Sequence, residues 1–164
     1  GSEMCIRDRR KADLMGQFDV PSRLESDKVD VFLVGPDDQV FGVVHVKASF
    51  AERRTDDVPM SEALIKEGYF SPLWTMDCKS TPAARPVNRG ELGVVQGRRS
   101  AKRKDFEDDG WFSACFSYNA NTLPTPDPET AAAPIIICDF SDPDDAFVEH
   151  VVAAWERFSA SRSE

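Results

Sequence analysis

The chain has 164 residues, of which 41% are hydrophobic and 10% aromatic, and its formal net charge is −9 at pH 7. This length and composition suffice for one domain with a buried core. No stretch approaches the roughly 18 apolar residues needed to cross a bilayer, and the acidic balance argues against a generic nucleic-acid coat protein. Cys78, Cys115 and Cys138 form no CxxC pair, which indicates free thiols in a reducing cytoplasm rather than a disulfide framework.

The first nine residues form a segment that we set apart from the rest. Residues 1–9 can be back-translated in full into the transposase adapter used in preparing sequencing libraries. They lack the apolar core and the small-residue cleavage site of a secretion signal. We therefore expect residues 1–9 to be adapter-derived, and residues 10–164 to be a single domain that is truncated at its N-terminus.

A β-hairpin is predicted over residues 29–50. Two apolar, β-branched runs flank a turn cluster of Gly, Pro and Asp. Folding back at this turn brings Asp30 beside residues 44–47, and strand alternation puts His45 and Lys47 on one face. A carboxylate facing a lysine across two antiparallel strands suits a Mg²⁺ site, because hard cations prefer oxygen ligands. The alternative is an ordinary hairpin with a strand-end carboxylate and a solvated lysine.

The remaining elements indicate a mixed α/β fold without internal repeats. We predict helices over residues 10–24, 60–67 and 100–108, strands over 73–79, 111–118 and 135–140, an irregular loop over 80–97 and a linker over 123–134. Three consecutive isoleucines predict that the 135–140 strand is buried on both faces. Asp142 is expected to cap a last helix whose apolar stripe belongs to the core.

A metal site at the hairpin needs a second acid, because His45 stands two residues before Lys47 and neutral imidazole is a poor ligand for Mg²⁺. Glu62, in the helix after the hairpin, is our first candidate, since a strand-to-helix reversal can aim it back at the site. Asp56 and Asp57, expected in the intervening loop, are alternative donors.

The segment from Lys47 to Arg53 resembles the PD-(D/E)XK type II restriction endonucleases, and within them the group that reads CCGG-like sites. In that group the acid before the lysine is replaced, and a helix-borne Glu restores the metal site. The resemblance implies a central mixed sheet flanked by helices, with Asp30, Lys47 and Glu62 catalytic and with Asp30 and Glu62 holding Mg²⁺. It also implies a prokaryotic, cytoplasmic enzyme that cuts double-stranded DNA at a short site, and a homodimer at full length.

DNA-binding residues are expected around the same segment and in the long loop. The candidates are Ser49, Glu52, Arg53, Arg54, Lys79 and Arg89. Guanidinium groups match the N7 and O6 edge of guanine, and carboxylates accept from cytosine N4. The match departs at Ala51, where the group carries an arginine, and Arg54 is a candidate to compensate. No glycine-rich phosphate loop is present, so no nucleotide cofactor is expected.

Three alternatives stay open. A second site could form from Asp57, Asp77 and Lys79, because residues 77–79 also spell Asp-x-Lys. The chain could instead be a nuclease-fold domain that binds DNA or a protein partner without cutting. It could also be a repair or recombination nuclease on the same scaffold.

Overall fold

The computed structural model describes residues 10–18, 29–50, 54–79 and 87–163. The elements in chain order are α1 (residues 10–15), β1 (Val31–Val34), β2 (Val40–Lys47), α2 (Arg54–Lys66), β3 (Leu73–Thr75), α3 (Ala101–Glu107), β4 (Cys115–Ser117), β5 (Ile135–Ile137) and α4 (Ala146–Arg162). The suspected adapter segment lies outside the described residues.

The strands form one five-stranded mixed sheet in the order β1-β2-β3-β4-β5. β1 is antiparallel to β2, with Val31 opposite Val44, and the other neighbours are parallel. The four parallel strands therefore end at the same edge of the sheet. Lys47 and Thr75 are register partners at that edge. This arrangement confirms the predicted mixed sheet and its opening hairpin.

Two apolar clusters cover the two faces of the sheet. Register partners across β3, β4 and β5 fall into the same cluster, because neighbouring strands point side chains the same way at each paired position. Leu73, Cys115 and Ile135 pack with Phe106 of α3. The next set along the strands, Trp74, Phe116 and Ile136, packs on the other face with α4. Parallel strands with apolar residues on both faces need such double cover.

The helix predicted over residues 60–67 begins earlier, at Arg54, so Pro59 lies inside it rather than in its first turn. A proline there cannot donate to the carbonyl four residues back. That carbonyl belongs to Thr55, which is exposed and can be hydrated. As a result, Asp56 and Asp57 lie in the first turn of α2 rather than in a loop, where carboxylates interact favourably with the helix dipole.

The three strands predicted after the hairpin are shorter in the structure. β3 ends at Thr75 because Asp77 adopts a left-handed backbone conformation, with φ of 44°, which cannot continue a strand. The isoleucine strand has apolar cover on both faces, at Ile135 and Ile136, but it is less buried than predicted. β5 is the edge strand, Ile136 and Ile137 are half-buried, and Phe140 beyond it is 65% exposed.

The last helix begins at Ala146, and its N-cap is Asp145 rather than the predicted Asp142. The Asp145 carboxylate accepts from the Phe147 backbone N–H at 2.9 Å. Asp142 instead caps a local turn by accepting from the Asp144 N–H. Among the described residues, no helix combines the length and apolar composition that a membrane crossing requires.

Candidate active site

Asp30 and Lys47 meet at the edge of the sheet where β2 ends. Asp30 directly precedes β1, and the Val31–Val44 register places it opposite the end of β2. Its Oδ2 atom accepts from the Val46 N–H at 3.0 Å and from Lys47 Nζ at 2.8 Å. The Lys47 side chain is 7% exposed, whereas that of Asp30 is 29% exposed. The predicted proximity is therefore present, and the partly exposed carboxylate opens this pair to solvent.

Asp57 is the third member of this cluster. The first turn of α2 places its Oδ2 atom 3.7 Å from Lys47 Nζ. Asp57 is 2% exposed, and its Oδ2 atom has no hydrogen-bond partner among the described residues. A buried carboxylate oxygen without a hydrogen bond is costly, and such atoms in native structures call for an explanation by catalysis or by a bound ion. Lys47 thus lies between two carboxylates, which exceed it by one charge.

Glu62, the second acid predicted from the sequence, lies elsewhere. Its Oε1 atom is 3.3 Å from Lys66 Nζ, one helical turn further along α2, and its side chain is 38% exposed. No ion pair or hydrogen bond joins Glu62 to Asp30 or Lys47 in the described part of the chain. The structure therefore brings together two of the three predicted catalytic residues, together with Asp57.

A sequence signal for Asp57 was present but masked by Pro59. The buried positions of α2 are Asp57, Met60, Ser61 and Leu64, which follow the i, i+3, i+4, i+7 spacing of one helix face. Glu62 falls off that face. A helix that begins at Pro59 excludes Asp57, whereas the actual start at Arg54 includes it in this periodicity.

His45 faces the same cluster from β2. It is 1% exposed, and its Nδ1 atom lies 3.8 Å from Asp57 Oδ1. Its Nε2 atom lies 2.8 Å from the hydroxyl of Ser71, which is itself 2.7 Å from the hydroxyl of Ser61. His45 and Lys47 thus approach the two oxygens of one carboxylate, in keeping with their predicted place on one strand face.

The alternative site built on Asp77 and Lys79 is not assembled. Both Asp77 carboxylate oxygens are occupied, Oδ1 by the Glu91 N–H and Oδ2 by the Thr122 hydroxyl, each at 2.7 Å. Burial raises the pKa of Asp77, and these two hydrogen bonds oppose that rise. Lys79 is exposed and shares no ion pair with Asp57 or Asp77 among the described residues. Asp77 fixes the loop at residues 87–91 rather than binding a ligand.

The residues predicted to bind DNA are only partly described. Lys79 and Arg89 are exposed, and Asn88, next to Arg89, donates to the Cys78 carbonyl at 3.0 Å. Ser49 is 4% exposed, and its hydroxyl has no hydrogen-bond partner in the described chain. Arg54 opens α2. Glu52 and Arg53 lie outside the described residues.

The cluster offers hard oxygen ligands but few of them. No group of three or more His, Cys, Asp or Glu side chains within the described ranges is arranged to hold a metal ion. The carboxylates of Asp30 and Asp57, both adjacent to Lys47, are the donors that the edge of the sheet provides. A divalent cation bound there would require further ligands from water or from a substrate phosphate.

Comparisons with known proteins identify a restriction enzyme that is similar to this chain. No protein-family profile matches the chain. The type II restriction enzyme AgeI from Thalassovita gelatinovora is 41% identical over 155 residues, a match that covers 88% of this chain and 55% of AgeI. The crystal structure of an AgeI–DNA complex superposes with a TM-score of 0.75 at 39% identity, again over 88% of this chain and 55% of the other. The chain thus spans about half the length of AgeI and shares its restriction-endonuclease fold.

Proposed function

We propose that this protein acts as a type II restriction endonuclease that hydrolyses phosphodiesters of double-stranded DNA at a short specific site, with Mg²⁺ as cofactor. The observation that carries the proposal is the cluster of Asp30, Lys47 and Asp57 at the edge of the sheet. The similarity to a type II restriction enzyme supports the same chemistry.

Asp30 and Asp57 fit the cation that this chemistry needs. Their oxygens are the hard donors that Mg²⁺ prefers, and Asp57 Oδ2 is buried without a hydrogen bond. A cation would offset the one carboxylate charge that Lys47 leaves uncompensated. When bound, Mg²⁺ supplies Lewis-acid stabilisation of the phosphoryl oxygen and a more acidic water.

Lys47 performs the other part of the reaction. Its ammonium group is held by Asp30 at 2.8 Å and is largely shielded from solvent, so its charge would interact strongly with a substrate phosphate bound beside it. It orients the attacking water and stabilises negative charge that builds up in the transition state. No covalent nucleophile is required, because the water attacks phosphorus directly.

Of Asp57 and Glu62, which both lie on α2, the contacts favour Asp57 as the second metal ligand. Asp57 shares Lys47 with Asp30, whereas Glu62 is paired with Lys66. The resemblance implies that an acid on a helix replaces the one missing at position 45. The present assignment keeps this principle but places the acid at Asp57, five residues before Glu62.

DNA binding and recognition are proposed for residues that follow β2 and β3 in the chain. Lys79 and Arg89 suit phosphate contacts, which position a duplex without reading its sequence. Glu52, Arg53 and Arg54 would read a CCGG-like target through guanine and cytosine edges. A palindromic target favours a homodimer, and the free thiols at positions 78, 115 and 138 suit a reducing cytoplasm.

The test is plasmid DNA cleavage by the parent protein, with Mg²⁺ and with EDTA, and by the Lys47→Ala variant with Mg²⁺. We expect cleavage with Mg²⁺ alone, and a rate loss of about 10²-fold or more in Lys47→Ala, since a preorganised charge-stabilising group is lost. Lys66→Ala is the matched control, because it removes an exposed lysine of α2 outside the cluster. Fragment ends at one short palindrome support restriction, whereas structure-selective nicking indicates a repair nuclease and binding without cleavage indicates an inactive domain.

A further inference from the structure

His45 connects the catalytic cluster to a buried hydrogen-bond chain. On one side its Nδ1 atom faces Asp57 Oδ1 at 3.8 Å, and on the other its Nε2 atom lies 2.8 Å from Ser71 Oγ. Ser71 Oγ lies 2.7 Å from Ser61 Oγ. Asp57 and Ser61 are one turn apart on α2, so His45 meets two successive turns of this helix, one directly and one through Ser71.

The protons of this chain determine which nitrogen of His45 carries a hydrogen. Ser61 can donate to the carbonyl or the hydroxyl of Ser71, which leaves the Ser71 hydroxyl proton free to donate to His45 Nε2. A neutral imidazole then carries its proton on Nδ1 and points it at Asp57. The other tautomer would aim the Nδ1 lone pair at a buried carboxylate oxygen, which is electrostatically unfavourable.

We propose that His45 is a positioning residue for Asp57: its Nδ1–H holds Oδ1, and this leaves Oδ2 directed at Lys47 and the cation. At 3.8 Å the contact is electrostatic rather than a hydrogen bond, since such bonds span about 2.7–3.2 Å. The role rests on the proposed function, because it assumes that Asp57 binds the metal. Outer partners that orient metal ligands change metal affinity strongly when they are removed.

The variants His45→Asn and His45→Gln distinguish the roles of the two imidazole nitrogens. The amide nitrogen of Asn can take the place of Nδ1, whereas that of Gln reaches the place of Nε2. Mn²⁺ binding to the full chain without DNA is measured by electron paramagnetic resonance. We expect His45→Gln to weaken Mn²⁺ binding by about 10–100-fold, and His45→Asn to bind close to the parent because it keeps a donor toward Asp57.

A second measurement needs neither metal nor a substitution of His45. The ¹⁵N chemical shifts of the His45 imidazole in the metal-free parent protein identify the protonated nitrogen, which we expect to be Nδ1. Ser71→Ala should disturb these shifts and weaken Mn²⁺ binding, because it removes the partner of Nε2. Ser113→Ala is the matched control: its hydroxyl accepts from the Ser71 backbone N–H at 2.9 Å but does not contact His45, so both readouts should stay unchanged.

The outcomes distinguish this inference from the proposed function. Protonation on Nε2, or equal Mn²⁺ affinities of His45→Gln and His45→Asn, overturns the positioning role. Asp57→Asn decides about the metal site itself. If this variant loses Mn²⁺ binding while both His45 variants bind normally, only the role of His45 is wrong. If Asp57→Asn binds Mn²⁺ as the parent does, the assignment of Asp57 as a metal ligand is wrong as well.

Discussion

Two buried aspartates, Asp57 and Asp77, are each 2% exposed, yet their surroundings differ. Both oxygens of Asp77 accept a hydrogen bond at 2.7 Å, from groups 14 and 45 residues away in the chain. Asp57 faces His45 and Lys47 at distances beyond a hydrogen bond, and its Oδ2 atom has no hydrogen-bond partner in the described structure. A buried carboxylate whose oxygens all accept hydrogen bonds can stabilise a fold. One with an unbonded oxygen carries a free-energy cost of burial, which a bound ligand can offset.

The comparison shows why the Asp-x-Lys letters alone cannot identify a nuclease site. Asp77 and Lys79 match the pattern, but the left-handed backbone at Asp77 turns it toward Glu91 and Thr122. At position 45 a histidine breaks the pattern, and the buried carboxylate beside Lys47 is that of Asp57 on α2. The unpaired carboxylate oxygen of Asp57 distinguishes it from Asp77 as a candidate ligand, whereas the spacing of residues along the chain does not.

The largest expected effect is on cleavage. Asp57→Asn removes a proposed metal ligand, so the rate of plasmid cleavage at saturating Mg²⁺ should fall by about 10²–10³-fold, as when one electrostatic group of an active site is lost. Stability should change little, because Asp57 Oδ2 makes no hydrogen bond. Single-turnover cleavage and urea unfolding measure the two quantities.

Glu62→Gln is the matched control on the same helix. Its carboxylate pairs with Lys66 near the surface, so we expect cleavage close to the parent rate. A loss in Glu62→Gln that equals or exceeds the loss in Asp57→Asn would restore Glu62 as the second ligand and contradict the comparison.

At Asp77 we expect a substitution to lower stability, in contrast to Asp57, where it should lower the cleavage rate. Asp77→Ala leaves the buried Glu91 N–H and Thr122 hydroxyl without their acceptor, and each buried unsatisfied group costs about 1–3 kcal/mol. The free energy of unfolding, measured by urea titration, should therefore fall by about 2–4 kcal/mol. Unchanged stability would show that Asp77 is not structural.

Gly90 provides a second test of the structural role of Asp77, because it packs against the Asp77 carboxyl group. A Cβ atom at Gly90 would lie 2.0 Å from Asp77 Cγ, whereas one at Gly93 would meet nothing within 4 Å. Both glycines have positive φ, 72° and 62°, so their alanine variants share the backbone strain. The free energy of unfolding, measured by urea titration, should be lower for Gly90→Ala than for Gly93→Ala by about 1–3 kcal/mol, because only Gly90→Ala adds overpacking. Equal stabilities would mean that Asp77 can move aside.

The sequence predicted the hairpin side of the site better than the helix side. The turn cluster and strand alternation are local signals, and they placed Asp30 beside Lys47 as the structure has it. The start of α2 was misplaced because Pro59 favours a first turn, although the helix tolerates it where the freed carbonyl is exposed. The state of Asp77 depends on Glu91 and Thr122, which only the folded chain brings near.

The smallest expected effect is a pH dependence of stability that belongs to Asp77. Burial raises the pKa of its carboxyl group in the folded protein above the ordinary value of 3.8. The folded state then binds this proton more tightly than the unfolded state, so stability falls as pH rises through the raised pKa and is regained on acidification. Asp77→Asn lacks this titration. The difference in unfolding free energy between the parent and Asp77→Asn, measured in urea from pH 7 to pH 4, should shift in favour of the parent as pH falls. A shift toward the variant would mean that the hydrogen bonds from Glu91 and Thr122 outweigh burial.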